Sequence, residues 1–271
     1  MKIYTLMENT ACEGGFSCEH GLSLYIETMG RHILFDAGQS GAFADNAARV
    51  GVDLSHVDAA ILSHGHYDHS GGLKRFLECN HTAPIYLTAE ALEPHYHGDR
   101  YIGVDPELFP NPRLRFIREN TPLFPGITLR RDLTVRRPID DGGLSVAEKG
   151  AKKAEDFRHE QYLLIEEDGR RILFSGCSHR GIENIAAHFR PDILIGGFHF
   201  SGLALDDARL LSAAETLKAI GCTCYTGHCT GEKQFEVMKQ IMGDQLHYLH
   251  AGTVLHIQRQ GKLRNFRRLP K

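Results

Sequence analysis

The residues with the clearest chemical meaning form a histidine-rich run, SHGHYDHSGG, at positions 63–72. If the run is extended, His64 and His66 point to the same side, so both imidazoles can bind one ion. Asp68 and His69 fall on the turn that follows, where they can hold a second ion nearby. Burying polar side chains of this kind without a partner would be costly. The run therefore predicts a metal site.

The segments on either side place this run at the end of a strand. Residues 58–62, DAAIL, have the length and composition of a buried strand, and residues 72–79, GLKRFLEC, have a helical pattern. Functional side chains of α/β sheets collect in loops at the carboxyl ends of strands. Gly65, Gly71 and Gly72 permit the tight backbone that such convergence requires. We therefore expect the metal site at this edge of a sheet.

Three more candidate ligands follow strands in the second half of the chain. Cys177 comes directly after RILFSG, His179 lies two residues further on, and His228 comes after CTCYTG. Thiolate and imidazole are both ligands that suit zinc. We expect these side chains to converge with the histidine-rich run. A small buried thiol without a ligand role is the alternative for Cys177, because free cysteines are often simply buried.

Two segments repeat each other and indicate how the elements are arranged. Residues 24–38 and 163–177 share 8 of 15 positions, and each has the pattern of a β-hairpin with a glycine in its turn. Strands and helices alternate after both hairpins, which predicts an α/β fold with helices covering sheets. Residues 93–153 hold most of the ten prolines and show little periodicity. We expect an irregular insertion there, with a cap as one interpretation.

The spacing His64-x-His66-x-Asp68-His69 resembles the HxHxDH signature of the metallo-β-lactamase superfamily. Asp36, in the segment LFDAG, is similar to that superfamily's first motif, a structural Asp after the second strand. The resemblance implies an α/β fold of a particular kind, a four-layer αββα sandwich built from two similar halves. Such a fold would account for the repeated hairpin.

Further motifs are similar to one branch of that superfamily, which is named after a pterin-condensing enzyme of methanopterin synthesis. The branch consists largely of proteins regarded as metal-dependent hydrolases. The similarity covers nearly the whole chain and is weakest at 93–153, so we expect one domain over residues 1–271 with the insertion inside it. The motifs are EHGLS (19–23), SHGHYDHSGGL (63–73), GCSHRGI (176–182), GGFH (196–199) and HCTG (228–231).

The resemblance also implies roles for the candidate ligands. Cys177 stands where superfamily members usually place a bridging Asp, and His228 resembles their last metal-binding His. The usual third His, in a Gly-His-Thr stretch, has no counterpart, because the corresponding region reads DFRHEQ. Either His179 takes its place, as the branch implies, or His159 or Glu160 does, and we favour His179. The expected cofactor is a divalent metal, as one or two ions, with zinc preferred and manganese or iron as alternatives.

A metal-dependent hydrolase is the leading functional hypothesis. Water bound to such an ion loses a proton near neutral pH, and the resulting hydroxide would attack an ester or a phosphoester. Asp68 would orient that hydroxide, His199 would steady the leaving group, and His20 is a weaker candidate for the same pocket. Two alternatives keep the site: a condensation in which a pterin-methyl diphosphate loses diphosphate to an aromatic carbon, and a non-catalytic metal-binding sensor.

The expected partner is a small molecule, with or without a phosphate group. Lys and Arg number 31 against 34 Asp and Glu, with no long run of one sign, which argues against a nucleic-acid surface. No stretch approaches the ~20 apolar residues of a membrane span. Seven cysteines and an N-terminus without a signal-like apolar stretch favour a reducing cytoplasm. Six arginines are candidate phosphate contacts or, alternatively, solvated loop residues: Arg113, Arg115, Arg130, Arg131, Arg136 and Arg137.

Overall fold

A computed structural model describes residues 1–137, 139, 142–148 and 151–257. In chain order its strands are β1 (Lys2–Met7), β2 (Ser23–Thr28), β3 (Arg31–Phe35), β4 (Ala59–Ile61), β5 (Ile85–Thr88), β6 (His95–His97), β7 (Arg100–Tyr101), β8 (Leu114–Ile117), β9 (Thr121–Phe124), β10 (Ile127–Arg130), β11 (Leu144–Glu148), β12 (Ala151–Ala154), β13 (Tyr162–Glu167), β14 (Arg170–Phe174), β15 (Ile193–Ile195), β16 (Thr223–Thr226), β17 (Leu246–Tyr248) and β18 (Val254–His256). Its α-helices are α1 (Ala42–Arg49), α2 (Tyr67–Ser70), α3 (Leu73–Cys79), α4 (Ile182–Phe189), α5 (Ala208–Ile220) and α6 (Glu232–Met242). Short 3-10 helices lie at Leu54–His56, Ala89–Leu92, Pro106–Leu108, His228–Thr230 and Gly243–Gln245.

Two large sheets share one plan. The first has the strand order β18-β1-β2-β3-β4-β5-β8, antiparallel from β18 to β3 and parallel from β3 to β8. The second has the order β9-β10-β13-β14-β15-β16-β17, antiparallel from β9 to β14 and parallel from β14 to β17. Each half of the protein therefore builds a sheet from an antiparallel hairpin that continues into parallel strands.

The two large sheets pack face to face and share one core. Ile33 and Phe35 of β3 and Ile172 and Phe174 of β14 are buried together in it. The ring centroids of Phe35 and Phe174 lie 5.7 Å apart. Because alternate residues of a strand face opposite sides of its sheet, the intervening residues of β3 and β14 point outward toward the helices.

Helices cover the outer face of each sheet. Leu34 of β3 packs in one core with Phe43 of α1 and Phe76 of α3. Leu173 of β14 packs in another with Ile185 of α4 and with buried residues of α5 and α6. The protein is therefore the four-layer αββα sandwich of two similar halves that the sequence predicted. Among the described residues, no helix combines the length and the apolar character needed to cross a membrane.

The repeated segments form equivalent hairpins, β2–β3 and β13–β14. Their turns are Met29-Gly30, with φ of 47° and 72°, and Asp168-Gly169, with φ of 53° and 75°. Positive φ at both central residues is what a type I′ turn requires, and this turn matches the twist of the flanking strands. The two hairpins thus end in the same way, and β3 and β14 leave them in the same direction relative to their sheets.

Residues 93–153 contain short strands joined by turns and loops, in the segment where the sequence predicts an irregular insertion. Here β8 joins the first sheet, β9 and β10 join the second, and β6, β7, β11 and β12 form a third sheet, which we call the small sheet. Its strands have two to five residues, and β7 and β12 are exposed along their whole length. Strands as short and exposed as β7 and β12 carry no alternation of apolar and polar residues, which is the signal that predicts a strand.

Candidate metal centre

Three loops bring all seven predicted ligands to one place. One loop follows β4 and runs into α2, the second follows β14, and the third follows β16. At most 7% of the surface of any of the seven residues is exposed. They form two sets, which we name the Asp68 group (Asp68, His69, Cys177 and His228) and the His64 group (His64, His66 and His179).

The donor atoms of the Asp68 group are spaced like the ligands of one ion. Nε2 of His69 lies 3.0 Å from Sγ of Cys177 and 3.1 Å from Nε2 of His228. Oδ2 of Asp68 lies 3.2 Å from Nε2 of His228 and 3.7 Å from Nε2 of His69. Ligands held about 2.0–2.3 Å from a tetrahedral zinc ion lie about 3.4 Å from one another. The spacing therefore fits a four-ligand site.

Neighbouring side chains decide which nitrogens of His69 and His228 carry protons. Nδ1 of His69 lies 2.7 Å from Oδ2 of Asp36 and donates to it. Nδ1 of His228 lies 2.9 Å from Oδ1 of Asn9, an oxygen that also accepts a backbone N–H. The Nε2 atoms of the two rings therefore face each other and the carboxylate of Asp68, which can only accept hydrogen bonds. A cation between these atoms satisfies all of them, so the residues fit a divalent metal.

The His64 group presents a second set of donors. Oγ of Ser63 donates to Oδ2 of Asp36 at 2.7 Å and so accepts from Nδ1 of His64 at 2.8 Å. Nε2 of His64 is left with a lone pair, and it lies 3.3 Å from Nε2 of His179. The ring of His66 meets both rings edge-on, with centroids 4.6 and 4.9 Å away. Three imidazoles that converge in this way fit a second ion.

Burial keeps the imidazoles of the His64 group uncharged. It lowers the pKa of His64 and of His179 well below the ordinary value of 6.5, and nearby imidazoles lower both further. Burial also lowers the pKa of His66, to about 3. A neutral imidazole is the form that binds a metal, so no proton has to leave these rings first.

The Asp68 group instead favours a positive charge. Burial lowers the pKa of His69, but the carboxylates of Asp36 and Asp68 outweigh burial and raise it to about 9. Burial raises the pKa of Asp68, but His69, His20 and His228 outweigh that effect and hold it well below 3.8. Nε2 of His20 lies 3.2 Å from Oδ2 of Asp68. The group is thus centred on an ionised carboxylate that a cation can neutralise.

Members of both groups line an open cavity of about 500 Å³, and so do His20 and His199, the two predicted pocket residues. The φ of His199 is 56°, a strained value for a residue other than glycine, and its ring centroid lies 4.2 Å from that of His179. Within the described part of the chain, the buried Nδ1 of His199 has no hydrogen-bond partner. A molecule in this cavity would therefore meet both donor groups and His199.

The two alternative ligands named from the sequence, His159 and Glu160, are engaged elsewhere. Nδ1 of His159 accepts the backbone N–H of Gly65 at 2.9 Å, so the proton of the neutral ring is on Nε2. Glu160 accepts the backbone N–H of His179 at 2.8 Å and the hydroxyl of Tyr162 at 2.6 Å. Glu160 therefore anchors the loop that carries His179, and the geometry favours His179 as the third imidazole.

Among the lining residues that the sequence analysis did not assign to the site are two arginines and a cysteine: Arg100, Arg209 and Cys229. Cys229 directly follows His228, and its Sγ lies 3.6 Å from the carbonyl oxygen of Cys177. Its position next to a predicted ligand was a signal that could have found it. Arg100 comes from β7 of the small sheet and Arg209 from α5. No local pattern marks these two arginines, because only the fold brings them to the cavity.

None of the six arginines named from the sequence as phosphate contacts or solvated loop residues lines this cavity in the described part of the chain. Arg130 forms an ion pair with Asp132, and Arg131 forms one with Glu90. The alternative interpretation, in which these arginines are solvated residues outside the site, therefore agrees better with the structure.

Comparison with known proteins places the chain in a family. The profile of the metallo-beta-lactamase superfamily matches residues 17–220. The chain is 30% identical over 285 residues to 7,8-dihydropterin-6-methyl-4-(beta-D-ribofuranosyl)-aminobenzene-5'-phosphate synthase of Methanocaldococcus jannaschii, covering 94% of this chain and 96% of that protein. It is 29% identical over 264 residues to an uncharacterized protein of the same organism, covering 94% of this chain and all of the other.

Solved structures agree with this placement. Tm1679, described as a metal-dependent hydrolase of the beta-lactamase superfamily, superposes with a TM-score of 0.83 at 30% identity, covering 95% of this chain and 99% of the other. Zn(2+)-bound PqqB from Methylobacterium extorquens has a TM-score of 0.59 at 15% identity, over 95% of this chain and all of the other, which is a likeness of fold. The chain therefore belongs to the metallo-β-lactamase superfamily.

Proposed function

We propose that this protein is a metal-dependent hydrolase that cleaves an ester or phosphoester bond of a small molecule. The observation that carries the proposal is the presence of two adjacent donor groups at one open cavity. The groups are neighbours, because the ring centroids of His64 and His69 lie 4.2 Å apart. Enzymes that use paired ions hold them side by side in this way, so that attacking and leaving oxygens are both stabilised.

The Asp68 group and the His64 group would hold the metal, as one or two ions. When bound, such ions lower the pKa of a water molecule and neutralise negative charge on a substrate oxygen. Zinc is the preferred ion, because the donors are one thiol, one carboxylate and five imidazoles, and thiolate and imidazole ligands select zinc. Manganese and iron are the alternatives that a metal analysis would distinguish.

The protein's own residues would orient the reactants and move protons. Asp68 is held by His20, which lies at the cavity and can exchange a proton with a molecule bound there. His199 lines the same cavity beside the ring of His179, where it could donate a proton to a leaving group. Asp36 acts behind the site: it bonds to His69 and, through Ser63, to His64, and so supports both groups at once.

The position of Arg100 supports a substrate that carries a phosphate group. Its guanidinium lies 4.9 Å from the centre of the Tyr67 ring, and both residues line the cavity. Among the described residues no carboxylate pairs with Arg100, whereas Arg209 is bound by Asp207. A guanidinium that is held by an aromatic ring and has no acidic partner is suited to bind a phosphate.

The His66→Ala variant tests the proposal. It should lose metal and turnover together in a panel of esters, phosphomonoesters and phosphodiesters, because an imidazole of the His64 group is removed. His81→Ala, at an exposed histidine that does not line the cavity, is the matched control and should keep both. Metal-dependent turnover that survives in His66→Ala would contradict the assignment. A fully metal-loaded protein that turns over no member of the panel would favour a non-catalytic sensor.

A second candidate function is supported by the 30% identity to the pterin synthase over nearly its whole length. In this version the methyl carbon of a pterin-methyl diphosphate forms a bond to an aromatic carbon, its bond to diphosphate breaks, and the aromatic carbon loses a proton. The same cavity would bind the departing diphosphate. Release of diphosphate should then depend on an aromatic acceptor and yield a coupled product. Hydrolysis would instead release phosphate or alcohol without any acceptor, so product analysis with and without acceptor separates the two.

We also propose that the protein works in a reducing compartment such as the cytoplasm. All seven cysteines are free, and four of them are buried. A thiol ligand such as Cys177 binds a metal only while it is reduced. Fractionation of cells that express the full chain, followed by detection with an antibody, tests this location.

A further inference from the structure

A second buried cluster lies behind the metal centre and consists of His66, His95, Glu155 and His159. One donor atom from each lies within 4.8 Å of the others, and no side chain of the cluster is appreciably exposed. The ring of His66 stands edge-on to the rings of His95 and His159, with centroids 5.5 and 5.2 Å away. The ring of His66 is therefore in contact both with imidazoles of the His64 group and with those of this cluster.

Hydrogen bonds show that this cluster is not built as a further metal site. Nδ1 of His95 faces Oε2 of Glu155 at 2.8 Å, and its Nε2 faces the carbonyl oxygen of Glu90 at 3.2 Å. Both partners are oxygens, so each ring nitrogen of His95 is already engaged by a protein group and neither is free for a cation. His159 carries its proton on Nε2, because Nδ1 accepts the N–H of Gly65. Neither ring therefore has a nitrogen free to bind a cation.

The carboxylate of Glu155 is the acceptor at the centre of the cluster. Oε2 is taken by His95, while Oε1 accepts the backbone N–H of Phe157 at 3.2 Å and lies 3.8 Å from Nε2 of His159. Nε2 of His66 is buried and has no hydrogen-bond partner in the described part of the chain. A buried ring N–H without an acceptor costs free energy, and the carboxylate of Glu155 has an oxygen within 4.8 Å of a ring nitrogen of His66.

We propose that Glu155 is a positioning residue for His66: its carboxylate attracts a ring N–H on the buried Nε2 of His66, and so leaves Nδ1 as the nitrogen that binds the metal. The inference rests on the proposed metal binding at His66. A carboxylate behind a metal-binding histidine fixes the orientation of the ring and raises its basicity as a ligand. His95 begins β6 and Glu155 directly follows β12, so the small sheet supplies the support for a ligand of the large sheets.

The test compares metal affinity, measured by competition with a chelating dye, in the wild type and in Glu155→Gln, which keeps the shape of the side chain but removes its charge. The affinity should fall about 10–100-fold, the usual effect of removing a partner of a ligating histidine. The absorption spectrum of the cobalt-loaded protein should change as well, because it reports the geometry of the ligands. Glu148→Gln is the matched control: this exposed glutamate of the small sheet pairs with Lys153, and its loss should leave affinity unchanged.

A role in folding alone predicts a different result. Glu155→Gln would then melt at a lower temperature in chelator but bind metal with wild-type affinity once folded, and this would overturn the inference. If Glu155→Gln does not fold, Glu155→Asp takes its place, because the shorter side chain keeps the charge but cannot reach all its partners. A lower affinity in folded Glu155→Asp supports the inference, and wild-type affinity overturns it. A wild type without affinity for zinc, manganese or iron would overturn the proposed function itself.

Discussion

The loops that follow β3 and β14 occupy equivalent positions in the two halves, yet they carry different residues to the metal centre. After β3 the chain continues with Asp36, which is not among the residues that line the cavity. Asp36 instead accepts hydrogen bonds from His69 and Ser63. After β14 it continues with Ser175 and Gly176 to Cys177 and His179, which are candidate ligands themselves. The same hairpin therefore delivers a support in one half and ligands in the other. A duplicated scaffold fixes where a loop lies, and the loop sequence decides what it does.

The comparison predicts the largest effect for a ligand of the second loop. Cys177→Ala should lower metal affinity by more than about 100-fold and turnover with it, because a ligand is lost outright rather than left misoriented. Elemental analysis after dialysis and activity at saturating metal measure the two effects. Cys224→Ala, at a buried cysteine of the helical core, is the control and should keep its metal. Unchanged metal content in Cys177→Ala would return Cys177 to the simpler interpretation as a buried thiol.

A smaller effect is expected for the support in the first loop. Asp36→Asn should lower metal affinity about 10–100-fold but retain turnover when metal is saturating, since the ligands remain and only their orientation and basicity change. Titration of activity against free metal concentration separates this result from the loss of a ligand. Activity that cannot be restored by excess metal would mean that Asp36 itself takes part in the reaction, and the contrast between the two loops would fail.

Arg100 should affect substrate binding without affecting metal. Arg100→Ala should raise KM for a phosphate-bearing substrate about 10-fold or more, the worth of a hydrogen bond to a charged group, and leave metal content unchanged. Arg115→Ala on β8, outside the cavity, is the matched control. An equal rise in KM for an uncharged ester would show that Arg100 shapes the cavity and does not recognise phosphate.

The smallest effects concern the hairpin turns, where the two halves should behave alike. Gly30→Ala and Gly169→Ala should each lower the free energy of unfolding by about 1–2 kcal/mol, because an alanine is strained at positive φ. Both glycines have open space where a Cβ would lie, so backbone conformation is the whole cause. Gly202→Ala, also in open space but without a positive φ, should change stability little. Urea unfolding measures all three variants. Clearly unequal losses in the free energy of unfolding for Gly30→Ala and Gly169→Ala would contradict the equivalence of the two hairpins.

Much of the fold and part of the site could be predicted from the sequence because the signals are local. The histidine-rich run holds four candidate ligands within six residues, and the repeated hairpin shows the two halves directly. Among the support residues, Asp36 was recognised from its motif, but Glu155 and Asn9 could not be predicted in this way. Glu155 lies 60 residues from His95, and Asn9 lies 219 residues from His228, so only the folded chain makes these partners. The small sheet was hidden because its strands are short and exposed.

The choice between His179 and His159 shows the same limit. Sequence alone left both open, because each is a histidine in a loop beside the predicted site. The structure separates them by a single hydrogen bond, from the backbone N–H of Gly65 to Nδ1 of His159. Because Gly65 and His159 are 94 residues apart, no local sequence pattern could have predicted this hydrogen bond.

The most direct test of the account is the metal content of the wild-type protein purified without added metal and then dialysed against zinc. Elemental analysis should find at least one tightly held zinc ion per chain, and the x-ray absorption edge of that zinc should show one sulfur ligand among nitrogens and oxygens. Such a result would place metal at the donor groups that Cys177 completes. A protein that holds no zinc, manganese or iron after this treatment would contradict the central claim that the Asp68 group and the His64 group bind a metal ion.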